Sequence, residues 1–163
     1  MPTPDFVLAL RAKVGHDHLW LPGVCAVVLR PLDKPEEVLL VRRSDDGTWT
    51  PVKGIMDPGE EVGQAAIREC LEETGVRIAV DRLVNVGIIG PVRYRNGDVT
   101  TYLEHTVRAS WVSGEPRVGD DESSEVGWFA LNDLPSPIPD ADLAQIEVAV
   151  ANPVNVVLAG LPR

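Results

Sequence analysis

Three glutamates crowd into five positions of the chain, at Glu69, Glu72 and Glu73. They lie in a stretch over 54–76 that reads GIMDPGEEVGQAAIRECLEETGV. The stretch opens with a turn signal, Asp57-Pro58-Gly59, and closes with Gly75, a residue suited to the left-handed position after a helix. No Pro and only one Gly, Gly63, fall between them, so the pattern predicts a helix from about Glu61 to Thr74. At ~100° per residue the three carboxylates share one face, with Ile67, Cys70, Leu71 and Thr74 on the opposite side. Like charges so close repel one another unless a cation compensates them. Arg68, the only basic residue of the helix, stands four before Glu72 and can aim the cluster, while Ala65 and Ala66 leave room for an approaching group. Converging carboxylate oxygens with space for water suit Mg²⁺ or Mn²⁺, ions that engage phosphates. A merely acidic, solvated helix face fits the same pattern, and residue types alone leave both readings open.

The stretch resembles the box of the Nudix hydrolases, Gly-x5-Glu-x7-Arg-Glu-U-x-Glu-Glu-x-Gly-U, where U is a bulky apolar residue. Gly54, Glu60, Arg68, Glu69, Glu72, Glu73, Gly75 and Val76 all fall in register, and Cys70 takes the first U position. The resemblance implies Mg²⁺ (or Mn²⁺) held by Glu69, Glu72 and Glu73, neutralising a diphosphate and activating a bound water. In that comparison Glu73 is the firmest ligand, and Glu69 is a ligand that could also take the proton. Glu60 braces the loop–helix–loop through Arg68, with Gly54 and Gly75 as structural positions. Family members often carry Trp-x-Leu-Pro-Gly before the box glycine and use the carbonyl just before that glycine as a metal ligand. Here Trp49 is kept, but Pro51, Val52 and Lys53 replace the other three, so the carbonyl role passes to Lys53. A loop carboxylate ahead of a Trp-bearing strand supplies a further ligand or base in several relatives, which points to Glu122 before Trp128, with Glu125 second.

The elements that must hold these groups follow from the rest of the chain. A helical segment occupies about 4–18, with a cap expected near Thr3 or Asp5. Gly23–Arg30 and Val38–Arg43 read as strands joined by a Pro31–Pro35 turn. Arg77–Ile89 reads as a strand ended by Gly90-Pro91, and Tyr94-Arg-Asn96-Gly97-Asp98 as a type I′ hairpin turn. Val99–Val112 is a long strand with Tyr102, Glu104, Thr106 and Arg108 on one face. An acidic loop with Asp120, Asp121 and Glu122 leads to a strand at Glu125–Phe129, and an amphipathic helix spans about 140–151. Periodicity supports an α/β or α+β class; the resemblance implies an α/β/α sandwich around a mixed β-sheet, one domain over 1–163.

Composition narrows the partners. The 163 residues carry a net charge of −10, which disfavours nucleic acid and anionic membranes as general partners. A nucleotide can still bind through a divalent ion. The longest apolar runs are too short to span a bilayer and the N-terminus lacks a basic, signal-like segment, so a cytoplasmic protein is expected. Cys25 and Cys70 lie in apolar patterns and read as buried free thiols.

Substrate choice lies outside the box. The family implies hydrolysis of a nucleoside diphosphate linked to a moiety X, with dimers common. Pro91, fifteen positions after Val76, resembles the ADP-ribose pyrophosphatase subgroup and favours an ADP-ribose-like or nucleotide-sugar substrate. The rivals are a MutT-like (d)NTP pyrophosphohydrolase and a non-catalytic nucleotide sensor. Arg42, Trp49 and Tyr94 are the candidate substrate contacts, by charge or by stacking.

Overall fold

The computed structural model describes residues 3–119 and 121–158; Asp120 of the acidic loop lies outside the described residues. In chain order the elements are α1 (Asp5–Val14), β1 (Leu19–Arg30), β2 (Glu37–Arg43), β3 (Trp49–Thr50), β4 (Val52–Ile55), α2 (Val62–Thr74), β5 (Arg77–Arg93), β6 (Val99–Ser113), β7 (Ser123–Ala130), α3 (Asp140–Ala151) and β8 (Val157–Leu158). The strands form one eight-stranded mixed sheet. Its main order is β3-β2-β1-β6-β5-β8, with β4 added to β1 and β7 to β2. β1 and β6 run parallel from Leu19↔Thr100 to Leu29↔Ser110. The other edge of β1 is shared between β4, at Gly23–Ala26, and β2, at Leu29–Arg30.

This position explains the unbroken apolar run of β1. Val24, Ala26 and Val28 pack with Ala65, Ala66 and Cys70 of α2, whereas Cys25, Val27 and Leu29 pack with Ile146 and Ala149 of α3. A strand covered by a helix on each face has no polar side to show. The result is the expected α/β/α sandwich, with both cysteines buried as free thiols. Among the described residues no helix is long and apolar enough to cross a membrane.

Three local expectations change. α1 starts after Pro4, whose carbonyl accepts from Val7 and Leu8 N–H at 2.9 and 3.1 Å, and neither Thr3 nor Asp5 acts as the cap. Gly90-Pro91 does not end β5, because the strand absorbs them as an irregularity between Ile89 and Val92 and pairs again through Arg93. Gly90 has φ 113°, a conformation glycine adopts without penalty, and Pro91 brings no N–H to leave unpaired. In the hairpin that follows, Gly97 (φ 93°) carries the positive φ and Asn96 does not, so the turn is not type I′. It is a longer loop in which Tyr94 accepts from Gly97 N–H and donates to the Asp98 carbonyl.

Candidate active site

Local signals set α2 firmly. At its start Gln64 Oε1 accepts from Glu61 N–H at 2.9 Å, and at its end Gly75 (φ 70°) returns its N–H to the Leu71 carbonyl at 3.0 Å. The buried side of α2 does not follow the split between its acidic and apolar faces, since Cys70 and Thr74 are buried along with Glu69 and Glu73. Ala65, Ala66, Glu69, Cys70 and Glu73 are buried, whereas Ile67 and Leu71 are 43% and 36% exposed. Small alanines let the helix approach the sheet closely, and that approach carries two carboxylates inside rather than leaving them in solvent.

Glu69 is fully buried. Its carboxylate lies against Gly54 of β4, where an added Cβ would sit 1.9 Å from Glu69 Cδ. Oε1 accepts from Arg68 at 2.9 Å, and the buried Oε2 has no hydrogen-bond partner among the described residues. Burial pushes the Glu69 carboxyl up to about 7, with the neighbouring Arg68 guanidinium partly opposing the shift. A buried carboxylate oxygen without a donor is costly unless a proton or a cation completes it.

Arg68 organises the rest. It makes a two-pronged ion pair with Glu60, Nε to Oε1 at 2.8 Å and Nη2 to Oε2 at 2.7 Å, and reaches the Ile55 carbonyl at 3.2 Å. Glu60 Oε2 in turn accepts from Asp57 N–H, so the loop before α2 is fastened to the helix. The Arg68 hydrogen bonds hold the Glu60 carboxyl below its ordinary range. Glu72 is exposed and sits on Arg68 at 3.4 Å. Glu73 is buried, and its carbonyl accepts from Gly119 N–H at 2.8 Å, tying the helix end to the following loop. Among the described residues no three acidic, His or Cys side chains converge into a metal-holding group. Glu69 and Glu73 line the cleft beside the helix, whereas the exposed Glu72 does not.

Glu69 and Glu73 open into a cleft of about 860 Å³, room enough for a nucleotide. Of the residues singled out in the sequence, Lys53, Gly54, Tyr94 and Glu122 also line it. Trp49 and Arg42 do not. Trp49 is buried in the α3-side core, edge-on to Phe129 with ring centroids 4.7 Å apart. Trp49→Ala is therefore expected to cost about 3–5 kcal/mol of stability, measured by denaturant unfolding. Arg42 turns to Glu125 at 2.5 Å, and its neighbour Arg43 lines the cleft instead, paired with Asp45 at 2.5 Å. The one-residue difference follows from strand alternation.

Two further polar groups of this region, Asp142 and Gln145, went unread in the sequence, and the pairing of Lys53 with Glu104 was not foreseen. The Lys53 side chain, standing where a glycine is usual, is held by Asp142 at 2.6 Å and Glu104 at 3.3 Å. Burial opposes its charge, yet these carboxylates keep its pKa above the ordinary lysine range. Gln145 donates to Glu104 Oε2 and, at 3.2 Å, to Thr106 Oγ1. Asp142 and Gln145 lie on the buried face of α3, which is thus polar where it meets the cleft. The available signals were the lysine itself and the alternating polar face of β6.

The model of the NUDIX domain matches residues 20–149, well over half of the chain. The chain belongs to the NUDIX family. The NAD-capped RNA hydrolase NudC of Pseudomonas aeruginosa is 30% identical over 135 residues, covering 76% of this chain and 45% of that protein. This chain thus spans less than half the length of that curated relative. Among solved structures, the MutT NUDIX hydrolase from Burkholderia pseudomallei is 32% identical, with a TM-score of 0.58 over 79% of this chain and 97% of that one. An ADP-ribose pyrophosphatase from Streptococcus suis, 19% identical, covers 85% of this chain and 96% of its own with a TM-score of 0.60, a likeness of fold.

Proposed function

We propose that this NUDIX chain hydrolyses the diphosphate linkage of a nucleoside diphosphate joined to a sugar moiety, an ADP-ribose-like or nucleotide-sugar substrate. One observation carries the reading: Glu69, whose buried Oε2 has no hydrogen-bond partner among the described residues, lines a nucleotide-sized cleft together with the buried Glu73. Such an acidic, oxygen-only donor set fits Mg²⁺ or Mn²⁺, which Glu69 and Glu73 would hold with the exposed Glu72 and the Lys53 carbonyl on β4. When bound, the ion neutralises the diphosphate oxygens and acidifies a water. Arg68 keeps Glu69 aimed at the cleft through its own brace to Glu60. Glu69 is the carboxylate placed to take the proton of the attacking water. Glu122 stands on the cleft wall as a second acceptor. Water adds to one phosphorus, the bridging P–O bond breaks, and a nucleoside monophosphate and a sugar phosphate leave.

The 32% identity to a MutT protein supports a second reading, release of pyrophosphate from a (d)NTP. Product analysis with Mg²⁺ separates the two on ADP-ribose, UDP-glucose, GDP-glucose, diadenosine polyphosphates, the eight common (d)NTPs, NAD and an NAD-capped oligoribonucleotide. A nucleoside monophosphate and a sugar phosphate from a sugar nucleotide support the first reading. Pyrophosphate from a (d)NTP as the dominant product overturns it in favour of the second. Tight binding with no turnover anywhere on the panel makes the protein a sensor.

A further inference from the structure

The last carbonyls of a helix find no partner within it. At the end of α2 two of them are satisfied by the β6–β7 connection: Arg117 N–H donates to the Thr74 carbonyl at 2.9 Å, and Gly119 N–H to the Glu73 carbonyl at 2.8 Å. The contact is close. A Cβ on Gly119 would lie 1.8 Å from the Glu72 carbonyl oxygen, and one on Gly75 would lie 2.6 Å from Arg117 Nε. The first of these clashes is with backbone, so a side chain at position 119 forces the connection off the helix.

Further along, the same connection is held from the other side of the cleft. Ser44, the residue after β2, donates its N–H to the Glu122 carbonyl at 2.7 Å and its hydroxyl to the Asp121 carbonyl at 2.9 Å. Those two carbonyls belong to the peptide groups on either side of the Glu122 Cα. Holding both fixes the direction in which the Glu122 side chain leaves the backbone. A serine beside a turn ordinarily spends its hydroxyl on backbone two to four positions away. This one reaches 77 positions along the chain. Ser44, Asp121 and Glu122 all line the cleft with Glu69 and Glu73.

We propose that Ser44 and Gly119 are positioning residues for the reaction, clamping the β6–β7 connection at two points so that Glu122 is held on the cleft wall before substrate arrives. Gly119 seats the connection on the helix that carries Glu69 and Glu73, and Ser44 orients the acid. The inference rests on the reading of Glu122 as a proton acceptor in a hydrolase.

The test compares Ser44→Ala, Ser44→Thr, Glu122→Gln and the double variant Ser44→Ala/Glu122→Gln with the unaltered full chain. Ser44 is exposed, so losing its hydroxyl opens no cavity. Turnover is measured with Mg²⁺ on whichever compound of the panel the unaltered chain hydrolyses fastest. Ser44→Ala should lower kcat about 2–10-fold, the effect of one hydrogen bond, with KM little changed. Ser44→Thr keeps the hydroxyl and should keep kcat. With Glu122→Gln already present, Ser44→Ala should lower kcat no further, because the two act as one.

A second arm needs no turnover. Trypsin cuts the metal-free chain between the exposed Arg117 and Val118, at a rate set by how often the connection opens. Ser44→Ala should speed this cut about 2–10-fold and Gly119→Ala at least ~10-fold, with cuts elsewhere unchanged. Unchanged kcat in Ser44→Ala, an equal loss in Ser44→Thr, an undiminished loss beside Glu122→Gln, or unchanged cutting at Arg117 overturns the proposal. Full kcat in Glu122→Gln removes the acceptor reading and the positioning role with it. No turnover of any panel compound by the unaltered chain removes the hydrolase reading, and faster cutting in both variants then leaves the clamp standing.

Discussion

Gly54→Ala is expected to lower turnover by at least ~10²-fold, a loss comparable to removing a catalytic carboxyl. The new methyl group would lie 1.9 Å from both Cδ and Oε1 of Glu69, so the carboxylate has to leave its place. Because the clash is with a side chain, the fold can yield, and the accompanying stability cost should stay near 1–3 kcal/mol. Activity should therefore fall much further than the melting temperature does. Gly63→Ala is the matched control: nothing lies within 4 Å of a Cβ there, and the site is helical, so it should gain about 0.5–1 kcal/mol with activity unchanged. Wild-type turnover in Gly54→Ala would mean that the position of Glu69 against β4 does not matter to the reaction.

Glu69→Gln should reduce kcat by roughly 10²–10⁴-fold while stabilising the metal-free protein above neutral pH. The sign follows from the raised carboxyl. Its value is about 7 in the fold against 4.5 for an ordinary glutamate, so between those limits the folded chain holds a proton that the unfolded chain has released. Stability of the metal-free protein then declines as pH rises from about 4.5 to about 7, by up to roughly 3 kcal/mol. Thermal melts in EDTA across this range should show the decline in the wild type and a flatter profile in Glu69→Gln. Adding Mg²⁺ at pH 8 should raise the wild-type melting temperature and leave that of the variant nearly unchanged. An identical response to Mg²⁺ in both would place the ion elsewhere.

The box residues and most elements were legible from the sequence because their signals are local. α2 lies within a residue of its expected bounds, since Asp57-Pro58-Gly59 and Gly75 act on the backbone beside them. α3 begins and ends where its periodicity says. Orientation was less legible. Whether the acids of α2 face solvent or a site stayed open, and in the fold Glu69 and Glu73 turn in with Cys70 and Thr74 while Ile67 and Leu71 turn out. Helical spacing states which residues share a side, and only the sheet that packs against the helix states which side is inside.

Substrate contacts were the least legible of all. Trp49 reads as a stacking residue by type, but strand β3 inserts it into the core against Phe129. Arg42 and Arg43 are adjacent in sequence and point to different places, toward Glu125 and into the cleft respectively. Lys53, Glu104, Asp142 and Gln145 come from β4, β6 and α3, with up to 92 positions between the first and last. No spacing rule spans such distances.

The sequence by itself determined the family and the acidic helix with its arginine brace, because each depends on neighbours within a few turns of chain, and the mixed sheet between helices followed only from the family resemblance. Tertiary structure alone decided that Glu69 is buried against a glycine, which raises its carboxyl and leaves one oxygen without a donor. It also decided which charges meet at the floor of the cleft. Burial and pairing across a sheet are properties of segments that pack together, and the strength of an ionisable group depends on both.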